Sequence, residues 1–144
     1  MESYLKLDTQ LCFKFYKISR SIIRAYKPLL DKLGLTYPQY LAMLVMWEHE
    51  ELSFSDISKK LDLKTGTLSP MLKKLEKMDL IEKTSSNADC RKIMIGITNK
   101  GLNLKIQAEN IPLEILKKTG ITMEELKKIE ATLQIVQEKL DDNQ

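Results

Sequence analysis

Between Ser55 and Thr98 the apolar residues change period, and that change restricts the possible folds more than any other feature of the chain. Leu68, Met71, Leu72, Leu75 and Met78 recur every three or four residues, which predicts one face of a helix over roughly residues 66–78. Further on, Ile93, Ile95 and Ile97 alternate with Lys92, Met94 and Gly96, the period of a half-buried strand. Leu80 to Ser85 supplies a second extended run, and the polar segment from Ser86 to Cys90 joins the two as a hairpin tip. Upstream, Ser55 reads as the cap of a short helix that turns Ile57 and Leu61 inward, and Asp62, Leu63 and Lys64 make a turn. Thr65 then caps the second helix, Gly66 admits a neighbouring backbone, and Pro70 removes one helical hydrogen bond. Two helices joined by such a turn and followed by a β-ribbon form a winged helix-turn-helix.

Charge bears on what this unit does. From Lys64 to Lys92 there are seven Lys and Arg residues against four Asp and Glu, an excess equal to the net charge of +3 for all 144 residues. The positive charge is therefore local, as a surface facing phosphates requires. A lysine-rich helix can also be an ordinary solvated face. The helix-turn-helix before it and the wing after it favour DNA.

The run Leu63 to Glu76 (LKTGTLSPMLKKLE), the triplet Asp89, Cys90, Arg91 and the run Ile97 to Gly101 (ITNKG) resemble the MarR family of winged-helix regulators. The resemblance implies a mainly α fold with a small β-wing and a helical dimerisation lobe built from both termini. It implies recognition-helix contacts to double-stranded DNA from Thr65, Thr67, Ser69, Pro70, Lys73 and Lys74. It also implies that Arg91 enters the minor groove while Asp89 holds the wing tip.

The N-terminal stretch predicts a long helix. Leu11, Phe15, Ile18, Ile22, Tyr26, Leu29 and Leu33 step by three and four, and Cys12, Tyr16 and Ile23 widen the same face. Pro28 can kink this helix and Gly34 ends it. With Asp8 or Thr9 as the cap, Cys12 falls in or beside the first turn, where helix dipoles favour thiolates, the form that attacks peroxides. A lone cysteine on an apolar helical face equally fits a small hydrophobe. The runs Leu7 to Tyr16 (LDTQLCFKFY), Tyr26 to Leu33 (YKPLLDKL) and Leu35 to Leu41 (LTYPQYL) resemble the organic-hydroperoxide-sensing branch of the MarR family. That resemblance implies that Cys12 is the sensor and that Tyr26 and Tyr37 of the partner subunit hydrogen-bond it. Amphipathic packing would also account for both tyrosines.

Thr36 should cap the next helix with Pro38 in its first turn, and Leu41, Leu44, Val45 and Trp47 make that helix the buried centre. His49 reads as solvated, and residues 52–54 can add a strand to the wing sheet. Residues 99–118 read as a helix with Leu102, Ile106, Ile111, Ile115 and Leu116 inward, kinked or broken at Pro112 and stopped at Gly120. Thr122 and Glu125 form a capping box for a last helix with Leu126, Ile129, Leu133, Val136 and Leu140 in one stripe. The expected organisation is a single MarR-type domain over residues 1–144: a dimerisation lobe (1–35 and 99–144) and a winged helix-turn-helix (36–98). A homodimer then predicts a pseudo-palindromic operator with recognition helices about one DNA turn apart, ~34 Å, or a multiple of it.

Composition excludes several classes. The chain is 43% hydrophobic and 30% charged, with no apolar run long enough for a membrane span and no signal-peptide core at its start, so a cytoplasmic location is expected. One His and two distant Cys form no metal-ligand cluster, and no Gly-rich phosphate loop is present, so no cofactor is expected. A disulfide between Cys12 and Cys90 is not expected, since their lobes lie farther apart than the ~7 Å Cα limit. The sequence favours a non-enzymatic repressor that releases its operator when organic hydroperoxide oxidises Cys12, with a low-molecular-weight thiol as a possible co-reactant. One alternative is a MarR-type repressor released by a small aromatic ligand bound near Tyr16, Tyr37 and Trp47. The other is a thiol-dependent peroxidase, for which the chain shows a nucleophile but no evident resolving cysteine.

Overall fold

The computed structural model describes residues 4–85 and 92–144. A 3-10 turn, Leu7–Thr9, leads into α1 (Leu11–Asp31). Then follow α2 (Tyr37–His49), β1 (Glu51–Ser53), α3 (Phe54–Leu61) and α4 (Thr65–Lys77). The wing strands are β2 (Ile81–Ser85) and β3 (Ile93–Ile97), and α5 (Asn99–Ala108), α6 (Ile111–Thr119) and α7 (Met123–Asp142) complete the chain. The sheet is antiparallel in the order β1-β3-β2, with Ile95 opposite both Leu52 and Lys83. The mainly helical fold with a small β-wing is the one the sequence predicts.

The chain divides into two compact units, residues 1–111 and residues 112–144. In the first, α2 is the buried centre, and of the residues expected there only Trp47 is buried. Tyr40, Ala42, Met43, Met46 and Trp47 are buried, whereas Leu44 is 40% exposed and Leu41 and Val45 are half-buried. Leu30, Ile57, Leu68, Leu75, Ile81 and Ile95 are buried as well, so α1, α3, α4, β2 and β3 each give at least one side chain to the core. The cap of α2 is as predicted: Thr36 accepts from the Gln39 N–H while the Gln39 side chain accepts from the Thr36 N–H. Ser53, not Ser55, caps α3, accepting from the Asp56 N–H at 3.1 Å. In the same way Lys64, not Thr65, is the N-cap of α4, and it makes no side-chain cap.

In the second unit Thr122 and Glu125 form the predicted capping box, and Gly120 takes a positive φ of 67° just after α6. The predicted helix over 99–118 is broken into α5 and α6, with Pro112 in the first turn of α6, where a missing N–H costs nothing. Ile106 is exposed, not inward. On α7 the stripe remains uncovered: Ile129, Leu133 and Leu140 are exposed, and Leu126 and Val136 half-buried. Among the described residues no helix is long and apolar enough to cross a membrane.

Candidate functional site

The second helix of the helix-turn-helix, α4, presents two opposite faces. Leu68, Met71, Leu72 and Leu75 are buried, while Thr65, Gly66, Thr67, Pro70, Lys73, Lys74 and Lys77 are exposed. The side chains expected to reach DNA therefore share the solvent side, with one exception. Ser69 is half-buried and, with Lys73 and Leu72, lines a small cleft of about 60 Å³ against Ile81 and Ile95 of the wing sheet. Gly66 does not serve a close approach, since a Cβ there would meet nothing within 4 Å. Lys64 makes no side-chain cap at the start of α4, and helix N-termini attract phosphate.

The turn before α4 is fixed locally. Asp62 adopts the left-handed conformation with φ 51°, the Leu63 N–H donates to the Ser58 carbonyl at 3.1 Å, and the Ser58 hydroxyl donates back to the Leu63 carbonyl. On the wing, Asp89, Cys90 and Arg91 lie outside the described residues. On β3, Ile95 is buried but Ile93 is 51% exposed, so the predicted alternation holds over only part of the strand.

Cys12 is the second residue of α1 and is exposed. Asp8 and Thr9 are not its caps: both belong to the 3-10 turn, and Gln10 is the N-cap without a side-chain bond. Tyr26 lies on the same helix, 14 residues further, hence about 21 Å along the axis at 1.5 Å per residue. Tyr37 opens α2, and its ring packs against that of Tyr26 with centroids 4.9 Å apart. Within one chain the two tyrosines are together and Cys12 is far from both. Tyr40, buried beneath the pair, lies 5.8 Å from Tyr26 and 6.4 Å from Tyr37. Burial, and then the neighbouring Tyr37, raise the Tyr26 pKa, so its hydroxyl stays a proton donor. Tyr40 is pushed up to about 12, first by burial and then by Tyr26 and Tyr37. An apolar cleft of about 330 Å³ beside Tyr37 is lined by Ile23, Leu30, Leu35 and Pro38, with Arg24 and Lys27 also on its wall.

Other expectations need correction. Tyr16 and Trp47 stand in different surroundings. Tyr16 is exposed on α1 under the Arg20 guanidinium, 4.5 Å from its ring centre, and Trp47 is buried against Tyr40. His49 is only partly solvated: its side chain is 29% exposed, with Nε2 buried 3.5 Å from Glu48 Oε2. Sequence reasoning also missed Gly101, whose Cα abuts the Leu80 carbonyl so closely that a Cβ would overlap it. Its signal was the ITNKG run itself, in which a glycine sits inside a helix where alanine would be the better former.

A helix-turn-helix with an exposed basic second helix and a β-wing defines a winged-helix DNA-binding regulator. Residues 24–108 match the family described as transcriptional regulator SarA/Rot, and the chain belongs to this MarR-type family of winged-helix transcriptional regulators. It is 44% identical over 137 residues to the organic hydroperoxide resistance transcriptional regulator of Bacillus subtilis (strain 168), covering 95% of this chain and 93% of that one. Among solved structures it is similar to AbfR of Staphylococcus epidermidis, at 33% identity and a TM-score of 0.74 over 94% of each chain. It is similar also to reduced AbfR bound to DNA, at 29% identity and a TM-score of 0.79 over 98% of this chain and 96% of that one. The family and these relatives are regulators, not enzymes.

Proposed function

We propose that the protein is a homodimeric, cytoplasmic repressor that holds a pseudo-palindromic operator while Cys12 is reduced and releases it when an organic hydroperoxide oxidises Cys12. One observation carries the reading. Cys12 is exposed near the start of α1, and Tyr26 lies about 21 Å further along the same helix with the ring of Tyr37, from α2, packed against it. A thiol and two donors so divided form a site only when a second copy runs alongside. The exposed Phe15, Ile18, Ile22 and Ile23 of α1 supply an apolar surface for that copy, and Ile129, Leu133 and Leu140 of α7 supply another. The hydroperoxide resistance regulator of Bacillus subtilis supports the choice of oxidant. The apolar cleft beside Tyr37 suits a peroxide with a hydrocarbon body.

The chemistry balances simply. The Cys12 thiolate attacks the terminal oxygen of ROOH, the O–O bond breaks, and the alkoxide leaves and takes a proton to become ROH. Sulfur is oxidised by two electrons to Cys–SOH and the peroxide is reduced by the same two. A low-molecular-weight thiol then condenses with Cys–SOH, releasing water and leaving a mixed disulfide. Either product replaces an acceptor for the Tyr26 and Tyr37 hydroxyls by a bulkier group at the dimer interface. On DNA, Thr65, Thr67, Pro70, Lys73 and Lys74 face the groove, Ser69 borders the sheet side, and the resemblance assigns Asp89 and Arg91 to the wing contact.

The test is an operator titration on the protein's own upstream DNA, with and without cumene hydroperoxide, for wild type and Cys12→Ser. Release in wild type alone is expected. Equal release by both proteins would overturn the sensor reading.

A further inference from the structure

Trp47 lies in the last turns of α2, is 7% exposed, and uses both its ring and its N–H. Its ring meets Tyr40 edge-on at 6.2 Å and 66°, and Tyr40 in turn packs on Tyr26 and Tyr37. Its indole N–H donates to the Gly101 carbonyl at 2.8 Å, a buried bond that reaches 54 residues along the chain. A buried indole needs a partner for its N–H. Here the partner belongs to the first turn of α5, and that turn is bonded to the place where α4 stops. The Thr98 N–H donates to the Leu80 carbonyl at 3.1 Å. The Thr98 hydroxyl donates to the Asp79 carbonyl at 2.6 Å, and Lys100 Nζ donates to the Met78 carbonyl at 2.8 Å. Three successive carbonyls after α4 are thus held by one turn of α5. Gly101 closes the contact, because only a residue without a Cβ fits against Leu80. The Lys105 ammonium also donates to the Trp47 carbonyl at 3.2 Å, tying α5 to α2 a second time.

We propose that Trp47 is a positioning residue that couples the Tyr26–Tyr37 pair to the recognition helix α4 through its N–H bond to Gly101. The proposal rests on the reading that those tyrosines respond to Cys12. Tyr40 is 2% exposed and close-packed, so a shift of the two rings above it is passed on to Trp47 and not absorbed by free volume. Trp47 moves the first turn of α5 with it, and the three carbonyl bonds turn α4 against the operator. A phenylalanine at position 47 would fill the core but carry no direction. The N–H bond therefore distinguishes a coupling role from packing.

Trp47 is the chain's one tryptophan, which makes the test specific. Trp47→Phe deletes the donor. Residue-specific replacement of Trp47 by benzothienylalanine deletes it with sulfur in place of N–H and almost no change of shape, which covers the case in which the phenylalanine variant does not fold. Both are compared with wild type and Cys12→Ser in full-length operator titrations before and after cumene hydroperoxide, and a dimedone-type probe reads Cys12 oxidation separately. The donor-less proteins should oxidise Cys12 at the wild-type rate and bind the operator within about threefold of wild type when reduced. Their loss of affinity on oxidation should be at least about tenfold smaller than that of wild type, a large part of a typical coupling factor. Wild-type release by the benzothienylalanine protein, with Cys12 oxidised and Cys12→Ser inert, overturns the coupling alone. Release by Cys12→Ser overturns the sensor reading beneath it.

Discussion

The two longest apolar faces of the first unit have opposite fates. Helix α2 buries Tyr40, Ala42, Met43, Met46 and Trp47, whereas α1, at 21 residues the longer helix, buries only Leu29 and Leu30 at its far end. Over the rest of α1, Leu11, Phe15, Tyr16, Ile18, Ile22 and Ile23 are between 36% and 64% exposed. The difference separates two kinds of burial. What α2 contributes is complete within one chain. What α1 could contribute is withheld until another surface covers it, and Cys12 sits on that uncompleted helix.

The contrast can be broken most severely from the inside. Leu75→Ala, at a position with no exposure, should cost ~2–5 kcal/mol in urea unfolding, because the surrounding core only partly collapses into the space left. Phe15→Asp should leave the midpoint of the winged unit almost unchanged. It should raise the dimer dissociation constant by about a hundredfold, ~2.7 kcal/mol, in sedimentation equilibrium. An unchanged dimer would place the partner surface elsewhere. Alkali should sharpen the picture of the core. Tyr40, raised to about 12, favours folding fully below the unfolded value of 10.0 and loses that contribution as pH rises through its folded value. Urea midpoints should therefore fall in this range, and less steeply in Tyr40→Phe. The smallest effect belongs to the surface. Lys73→Ala should lower the salt slope of operator binding by about one and leave the melting temperature alone.

Much of this was legible in the sequence. The buried face of α4, the strand segments, the Thr36 cap and the Thr122 capping box all follow from local spacing, which a chain displays without its tertiary partners. The misassignments fall where local chemistry is ambiguous or where distant segments meet. Ser53 and Ser55 flank Phe54, and only backbone geometry decides which of them caps α3. Thr65 looks like a cap, but the extended conformation falls one residue earlier, at Lys64. The close approach expected at Gly66 occurs at Gly101, because it is set by the Leu80 carbonyl, 21 residues upstream. The Trp47–Gly101 bond has no periodicity at all, so spacing could not disclose it. Of the sensor residues, the pairing of Tyr26 with Tyr37 is present in the fold. The separation of Tyr26 from Cys12 on one helix is a matter of simple length, fixed by the residue numbers.

That length has a genetic consequence. On the proposed reading each dimer holds two sensor sites, and every site borrows its thiol from one copy and its tyrosines from the other. A copy carrying Cys12→Ser and a copy carrying both Tyr26→Phe and Tyr37→Phe would each be deaf to peroxide as homodimers. Expressed together, they would form a mixed dimer with one wholly defective site and one intact site. Response restored by mixing two unresponsive alleles is intragenic complementation, and a thiol and tyrosines acting within a single chain could not produce it.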